Sequence, residues 1–248
     1  MPSPAYAWPG GREAAITLTF DDGTKSQLER AIPYMNKLGL RGSFYLNPKD
    51  GEWEERLQPW RAVADAGHEI GNHTCSHPCS RALWGQDHGL ESMTLAELEA
   101  DILKAEERLR KIIPAQTERT FCYPCYYHHV GSGPTRQSYV PLIAKHFVAG
   151  RGGTCNLGFA VAPQACDLAY LEGHPAERLA GYEMIGLCER AAARGHWLLL
   201  VFHGIQDGGL AVADGDFREL CDHLKRHENR FWTDTTLNVA KHVKAQRK

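Results

Sequence analysis

Residues 16–23 read Ile-Thr-Leu-Thr-Phe-Asp-Asp-Gly, an apolar run of strand character that ends on two carboxylates. The β-branched and aromatic residues favour a strand. Residues 198–203, Leu-Leu-Leu-Val-Phe-His, form a second apolar run, and this one ends on a histidine. Titratable groups at the ends of several buried strands are typical of an active site at the C-terminal rim of a parallel barrel. The sequence therefore predicts an α/β fold, an irregular (β/α) barrel with parallel strands.

Strands and helices alternate along the rest of the chain, which favours parallel β/α architecture. The clearest helix is 94–113, where Thr94 and Glu97 form a capping box and Pro114 ends the helix. No repeat, low-complexity tract or long linker interrupts the pattern, so we expect a single domain over residues 1–248. The other predicted strands are 42–46, 68–72, 120–123, 147–151 and 231–233, and the other predicted helices are 26–38, 54–66, 139–146, 181–194, 216–227 and 236–244.

The composition excludes several classes of protein. The chain has 248 residues, 43% of them hydrophobic and 23% charged, with a net charge of −2. This balance gives no electrostatic reason to expect a nucleic acid or an anionic membrane as partner. No apolar run approaches the roughly 20 residues of a membrane span. The N-terminus lacks a basic segment followed by an apolar one, so we expect no signal peptide and a cytoplasmic location.

The eight cysteines allow two interpretations. Residues 122–125, Cys-Tyr-Pro-Cys, form a C-x-x-C motif that fits a zinc or redox site, but no second pair accompanies it. The alternative is a set of buried thiols that behave as small apolar side chains. An even count does not establish disulfides in a protein expected in the cytosol.

Residues 73–77, His-Thr-Cys-Ser-His, place two imidazoles four residues apart. On a helical turn His73 and His77 would share one face, as in H-x-x-x-H zinc sites. Asp21 and Asp22 point to opposite faces of a strand, so one could ligate a metal while the other reaches a water beside it. One Asp and two His suit a catalytic divalent metal with open coordination positions. Taken alone, Asp-Asp-Gly also fits an ordinary turn.

His203 shares strand parity with Leu199 and Val201, so its imidazole lies on the side of buried aliphatic residues. An imidazole titrates near neutral pH and can act as an acid or a base. The alternative is a core histidine with a satisfied hydrogen bond.

Together these segments resemble the polysaccharide deacetylases, the NodB-homology domain of carbohydrate esterase family 4. Residues 19–23, 73–77 and 199–203 are similar to the first, second and fifth motifs of that family, in the right order. The flanking residues 39–46 and 66–73 are similar to family segments as well. The resemblance implies an irregular (β/α) barrel of the NodB-homology type.

The resemblance implies a role for each matching residue. Asp22, His73 and His77 would ligate a divalent metal, most often zinc, although cobalt, nickel and manganese can also use an Asp/His/His site. Asp21 would be the general base that activates the attacking water, and His203 the general acid that protonates the leaving amine or alcohol.

The third motif departs from the family pattern. Many members carry an Arg at the position of Cys122, where it braces the catalytic Asp. Without that cation Asp21 should be less acidic or have another partner, for which Arg151 is a candidate. The resemblance also implies that the backbone N–H of Cys125 contributes to the oxyanion hole, a role that needs no particular side chain.

Four further residues are candidates for roles at the site. In the region of the fourth motif Asp167 is either a partner that tunes His203 or an ordinary loop residue. Tyr126 and Tyr127 directly follow the third motif, so they and Trp84 are candidates for lining a sugar groove, where aromatic faces stack on sugar rings.

The predicted function is a metal-dependent hydrolase that removes acetyl groups (N-acetyl, or O-acetyl) from a poly- or oligosaccharide, with an acetylated carbohydrate as its partner. Two alternatives stay open. A cyclic amide or ureide hydrolase of the allantoinase-like branch would share the fold, but that branch tends to lose metal ligands and this chain keeps all three. A non-catalytic carbohydrate-binding protein would have no use for Asp21 and His203 beside the ligands.

Overall fold

The computed structural model describes residues 6–84, 89–153 and 160–247. Its principal sheet contains nine strands, and every pairing in that sheet is parallel. The thirteen strands of the described residues are β1 (Ala14–Asp21), β2 (Ser43–Leu46), β3 (Glu69–Asn72), β4 (Phe121–Cys122), β5 (His129–Val130), β6 (Gln137–Ser138), β7 (Gly150–Gly152), β8 (Leu171–Glu172), β9 (His174–Pro175), β10 (Trp197–Phe202), β11 (Gly204–Ile205), β12 (Ala211–Val212) and β13 (Phe231–Thr233).

The sheet curls into a nearly closed barrel. Its strands follow the order β8-β7-β4-β3-β2-β1-β10-β9, and β13 pairs with the first half of β1. The two strands at the ends of this series, β8 and β9, are separated in sequence only by Gly173. The short segment 171–175 therefore joins β7 on one side to β10 on the other and closes the barrel.

Helices surround the sheet. They are α1 (Ile32–Leu38), α2 (Trp53–Asp65), α3 (Arg81–Trp84), α4 (Leu95–Ile112), α5 (Val140–His146), α6 (Gly181–Ala192), α7 (Asp214–Arg226) and α8 (Thr236–Gln246). None of the helices in the described ranges is long and apolar enough to cross a membrane.

Successive side chains of β1 point alternately to the core beneath the helices and to the interior of the barrel. Ile16, Leu18 and Phe20 pack in a large apolar core with residues of α1, α2, α6 and α7. The side chains of opposite parity point into the barrel, where Thr17 Oγ1 accepts a hydrogen bond from Trp197 Nε1 at 2.9 Å. Asp21, the last residue of β1, has this second parity and lies inside the barrel, 2% exposed.

The predicted fold class is confirmed, and most predicted elements appear within a few residues of their expected bounds. The helix expected over 26–38 begins instead as a π-helical turn, Gln27–Ala31, before α1. Pro33 explains the difference, since it has no N–H to donate to the carbonyl of residue 29. The strands β8 and β9, which close the barrel, were not predicted, because a strand of two residues is too short to show an alternating pattern.

Candidate active site

The predicted site residues meet at one rim of the barrel. Asp21 ends β1, His73 directly follows β3, and His203 directly follows β10. The strands are in register, with Phe20 paired to both Phe44 and Phe202. Because parallel strands in register end at the same edge, these polar groups converge at the carboxyl end of the barrel.

Asp22, His73 and His77 form a compact group of metal-ligand type. Their ligand atoms lie within 4.8 Å of one another. Asp22 Oδ1 is 3.6 Å from His73 Nε2 and 3.5 Å from His77 Nε2. Ligand atoms about 2.1 Å from a tetrahedral zinc lie about 3.4 Å apart, so this spacing fits a zinc-sized cation.

Both imidazoles are held in the form that a metal requires. Burial lowers the pKa of His73 despite the opposing charges of Asp21 and Asp22. Burial and the neighbouring His73 lower the pKa of His77 to about 4. The Nδ1 of His73 is hydrogen-bonded to the Cys122 carbonyl at 2.9 Å, which leaves the Nε2 lone pair directed at the site. Neutral imidazoles with available lone pairs are the state in which histidine ligates metals.

A second group, Asp21, His73 and Cys122, also has the spacing of metal ligands. Two observations favour the first group. Asp21 is already paired with a buried arginine, and burial raises the pKa of the Cys122 thiol well above its usual range. Because a thiol ligates zinc as the thiolate, Cys122 is poorly suited to the role.

Asp21 lies between the guanidinium of Arg151 and the imidazole of His203 inside the barrel. Arg151 Nη2 donates to its Oδ1, and His203 Nε2 lies 3.8 Å from its Oδ2. Burial alone raises the pKa of Asp21, but the charges of Arg151, His73 and His203 outweigh it and lower that pKa from 3.8 to about 2. The carboxylate is therefore anionic over the neutral pH range. The predicted partner Arg151 does contact it, from β7 rather than from the third motif.

Arg151 fills the space beside the small side chain of Cys122 in the third motif. It is fully buried, and its Nη2 lies 2.9 Å from Cys122 Sγ. Its guanidinium lies over the rings of Tyr45 and Tyr126, at 5.3 and 5.7 Å from their centroids. The small cysteine side chain allows an arginine of the next strand to reach Asp21.

Two residues at the site were missed by the sequence reasoning. Gln27 Nε2 donates to the backbone carbonyls of Asp21 and His203, at 2.6 and 2.8 Å, and so joins the ends of β1 and β10. Asn47 Nδ2 donates to Asp22 Oδ1 at 3.2 Å. Single amides in a loop and in a first helical turn carry no sequence signal for such roles.

The backbone at the site is strained. Seven non-glycine residues of the described ranges have positive φ, and five of them lie here: Asp22, Thr74, His77, Cys125 and Tyr126. Such conformations cost on the order of 1–3 kcal/mol each and persist only where the surroundings enforce them. The expected helical turn at 73–77 was wrong, because the positive φ angles at Thr74 and His77 curl a loop instead. That loop still brings the two imidazole rings to 4.6 Å.

A disulfide joins Cys79 to Cys125, with the two Cα atoms 5.8 Å apart. The C-x-x-C motif therefore does not act as a unit, since Cys122 contacts Arg151 and His73 instead. Cys79 Sγ lies 3.6 Å from His77 Nδ1, on the side of the ring opposite to Asp22. Of the other cysteines in the described ranges, all five are free thiols, and four of these are buried.

The remaining candidates are placed as follows. Tyr126 is largely buried against Arg151, and its hydroxyl has no partner among the described residues. Tyr127 is 38% exposed at the rim. The side chain of Trp84 lies outside the part of the chain that the structure describes. Asp167 Oδ1 accepts a hydrogen bond from Ala169 N at 2.9 Å, as a loop residue does, and the Nδ1 of His203 has no partner within the described ranges.

Comparison with known proteins is consistent with this geometry. Residues 10–129 match the family described as polysaccharide deacetylase. A peptidoglycan-N-acetylglucosamine deacetylase of Bacillus cereus is 32% identical over 112 residues, which are 44% of this chain and only 36% of that relative. The chain thus matches about a third of the length of that curated relative.

Solved structures share the fold over most of the chain. A Mycobacterium smegmatis protein described as a polysaccharide deacetylase has a TM-score of 0.65 at 16% identity, covering 100% of this chain and 96% of that one. A Bacillus subtilis peptidoglycan deacetylase has a TM-score of 0.55 at 17% identity, with 94% and 92% covered. A family 4 pseudoenzyme of Bacillus anthracis has a TM-score of 0.57 at 16% identity, with 97% and 69% covered. The fold alone therefore does not distinguish active from inactive members.

Proposed function

We propose that this chain, whose residues 10–129 match the polysaccharide deacetylase family, is a metal-dependent hydrolase that removes acetyl groups from a poly- or oligosaccharide. The observation that carries the proposal is one constellation at the barrel rim. It comprises the Asp22, His73 and His77 group, the anionic carboxylate of Asp21, and the imidazole of His203. An inactive relative would not need a base and an acid next to a ligand set.

Asp22, His73 and His77 would hold the cation, and their spacing and neutral imidazoles fit it. A divalent metal bound there supplies Lewis acidity, which polarises the acetyl carbonyl and makes water a stronger nucleophile. The choice among zinc, cobalt, nickel and manganese is open to this donor set.

The proton transfers belong to Asp21 and His203. Asp21 is anionic at neutral pH and accepts the proton of the attacking water through Oδ2, while Arg151 holds Oδ1 and fixes the carboxylate. His203 donates a proton to the leaving nitrogen or oxygen of the sugar. Its Nε2 lies 3.8 Å from Asp21 Oδ2, so the proposed acid and the proposed base face the same space. The products are acetate and the free amine or alcohol.

The amide is the preferred substrate class in this proposal, because the Bacillus cereus relative is named for N-acetylglucosamine in peptidoglycan. The test is acetate release from N-acetylchitooligosaccharides, from peptidoglycan fragments and from acetylated xylan, with apoprotein reloaded separately with zinc, cobalt, nickel or manganese. We expect release only from loaded protein, and faster release from the amides. Fully loaded protein that releases acetate from none of these substrates would refute the proposal.

A further inference from the structure

The Cys79–Cys125 disulfide connects two loops that the proposed reaction uses. Cys79 lies two residues after the ligand candidate His77, and Cys125 is the residue whose N–H the family resemblance implies in the oxyanion hole. The bond spans 46 residues of sequence and crosses the rim of the barrel between the segments that follow β3 and β4.

Both loops are held in unfavourable backbone conformations. His77 has φ 56° and Cys125 has φ 50°, in the left-handed region that side chains other than glycine disfavour. The bond links the strained turn at Cys125 to Cys79, which is itself fixed by a hydrogen bond from Leu90 N to its carbonyl at 3.0 Å. The cross-link is therefore well placed to keep both conformations from relaxing.

The disulfide lies next to two groups that the proposed reaction uses, the imidazole of His77 and the backbone N–H of Cys125. Cys79 Sγ lies 3.6 Å from His77 Nδ1, behind the nitrogen that faces Asp22. The N–H of Cys125 donates to no acceptor in the described part of the chain, so it is available to a substrate oxygen. Groups that orient a metal-ligating imidazole from behind typically change metal affinity or activity about 10–100-fold when they are removed.

We propose that Cys79 and Cys125 are positioning residues, and that their disulfide holds the His77 loop and the Cys125 turn in the geometry that metal binding and acetyl transfer to water require. The proposal rests on the proposed deacetylase function. Opening the disulfide lets both turns relax, so that metal affinity and kcat fall together.

The bond can be opened chemically. A water-soluble trialkylphosphine reduces it. The phosphorus atom attacks one sulfur and displaces the other as a thiolate. Water then hydrolyses the phosphorus–sulfur bond, which releases the second thiol and the phosphine oxide. Cys125 is only half-buried, so the reagent can reach the bond through it. Aerobic removal of the phosphine re-forms the bond, with oxygen as the oxidant and hydrogen peroxide or water as its reduced product.

The experiment compares wild type, the C79S/C125S double variant and C166S, each with and without phosphine. Cys166 is a free, half-buried cysteine away from the rim, so C166S is the matched control. Zinc affinity is measured by competition with a chromophoric chelator, and kcat and KM by acetate release. We expect C79S/C125S and reduced wild type to lose at least about tenfold in zinc affinity and in kcat. C166S should match wild type, and phosphine should not change C79S/C125S.

Three outcomes would overturn the proposal. The first is freely reactive thiols at both positions in protein purified under air. The second is wild-type zinc affinity and kcat in folded C79S/C125S, which would make the disulfide a purely structural link. The third is unchanged zinc affinity and kcat after reduction of wild type, with circular dichroism confirming the fold, and this arm holds even if the double variant does not fold. Wild type that binds zinc but releases no acetate contradicts the proposed function instead, and the affinity comparison still tests the cross-link.

Discussion

Replacing Arg151 with methionine tests the role of the arginine that reaches Asp21 from β7. The substitution keeps much of the buried volume but removes the charge. Burial raises the pKa of Asp21, and Arg151 makes the largest opposing contribution, ahead of His73 and His203. A pKa of about 2 in place of 3.8 corresponds to about 2.5 kcal/mol in favour of the anion. Removing Arg151 takes away the largest of the contributions that favour the anion, and the carboxylate is also free to turn.

Two effects of R151M are therefore expected. Leaving one partner of a buried ion pair alone destabilises a protein by about 3–5 kcal/mol, which urea unfolding measures. Loss of a positioned general base lowers kcat/KM by about 100-fold or more, which acetate release measures. Metal content should stay near that of wild type, because Arg151 does not contact Asp22 or His77.

Arg119 provides the matched control. It is a second buried arginine, 2% exposed, and its Nη1 lies 3.1 Å from Glu106 Oε1, away from the rim. R119M should lose stability as R151M does but keep the kcat/KM of wild type. If R151M keeps wild-type kcat/KM at a temperature where it is folded, Arg151 is only a structural ion pair and the reasoning fails.

Exchanging the two side chains is a sharper form of this test. Cys122 and Arg151 are paired neighbours on β4 and β7, with Cys122 Sγ 2.9 Å from the guanidinium. In the R151C/C122R double variant the cation would approach Asp21 from the third motif. We expect kcat/KM above that of R151M; a double variant no better than R151M would show that the approach from β7 is required.

Four other variants test the site and the barrel that carries it. D21N should bind metal as wild type does yet release no acetate, and a near-normal rate would remove Asp21 from the role of base. H73A should lose metal, whereas full occupancy by metal analysis would contradict the ligand assignment. Burial lowers the pKa of His68 from 6.5 to about 4, so the folded state resists a proton that the unfolded chain accepts. The unfolding free energy should therefore fall by up to about 3 kcal/mol as pH drops from 6.5 to 4. H68N should flatten that decline in urea titrations, and an equal decline in both proteins would exclude His68 as its source. A Cβ at Gly173 would lie 2.7 Å from Arg151 Cδ, so G173A should lower kcat/KM with unchanged metal content, and wild-type kcat/KM in G173A would show that the barrel relaxes around the methyl group.

The sequence predicted the fold class and the convergence of the rim residues because both depend on local signals. The strands that lead to Asp21 and His203 carry their own apolar runs, and parallel strands in register bring their last residues together. The convergence of Asp21, His73 and His203 could be predicted from that rule alone, without knowing any contact between distant segments. Their chemical roles remain predictions that the variants above test.

Other parts of the site depend on contacts between distant segments, which no local pattern encodes. The pairing of Cys79 with Cys125 follows from which loops meet at the rim, and cysteine connectivity cannot be deduced from spacing. Arg151 was no more than a candidate, because its reach to Asp21 depends on the small side chain of Cys122. The curl at His77 depends on left-handed backbone angles that histidine rarely adopts.

The glycine at the seam of the barrel has a consequence for how related sequences should be interpreted. Gly173 leaves room for the shaft of Arg151, since a side chain there would collide with that shaft, with Val201 and with the carbonyl of Gly152. The arginine on β7 can therefore replace a cation on β4 because the position next to it, at the β8–β9 junction, is a glycine. A related chain that lacks the usual arginine in its third motif should not be classed as inactive on that ground alone. The positions that correspond to Arg151 and Gly173 should be inspected first.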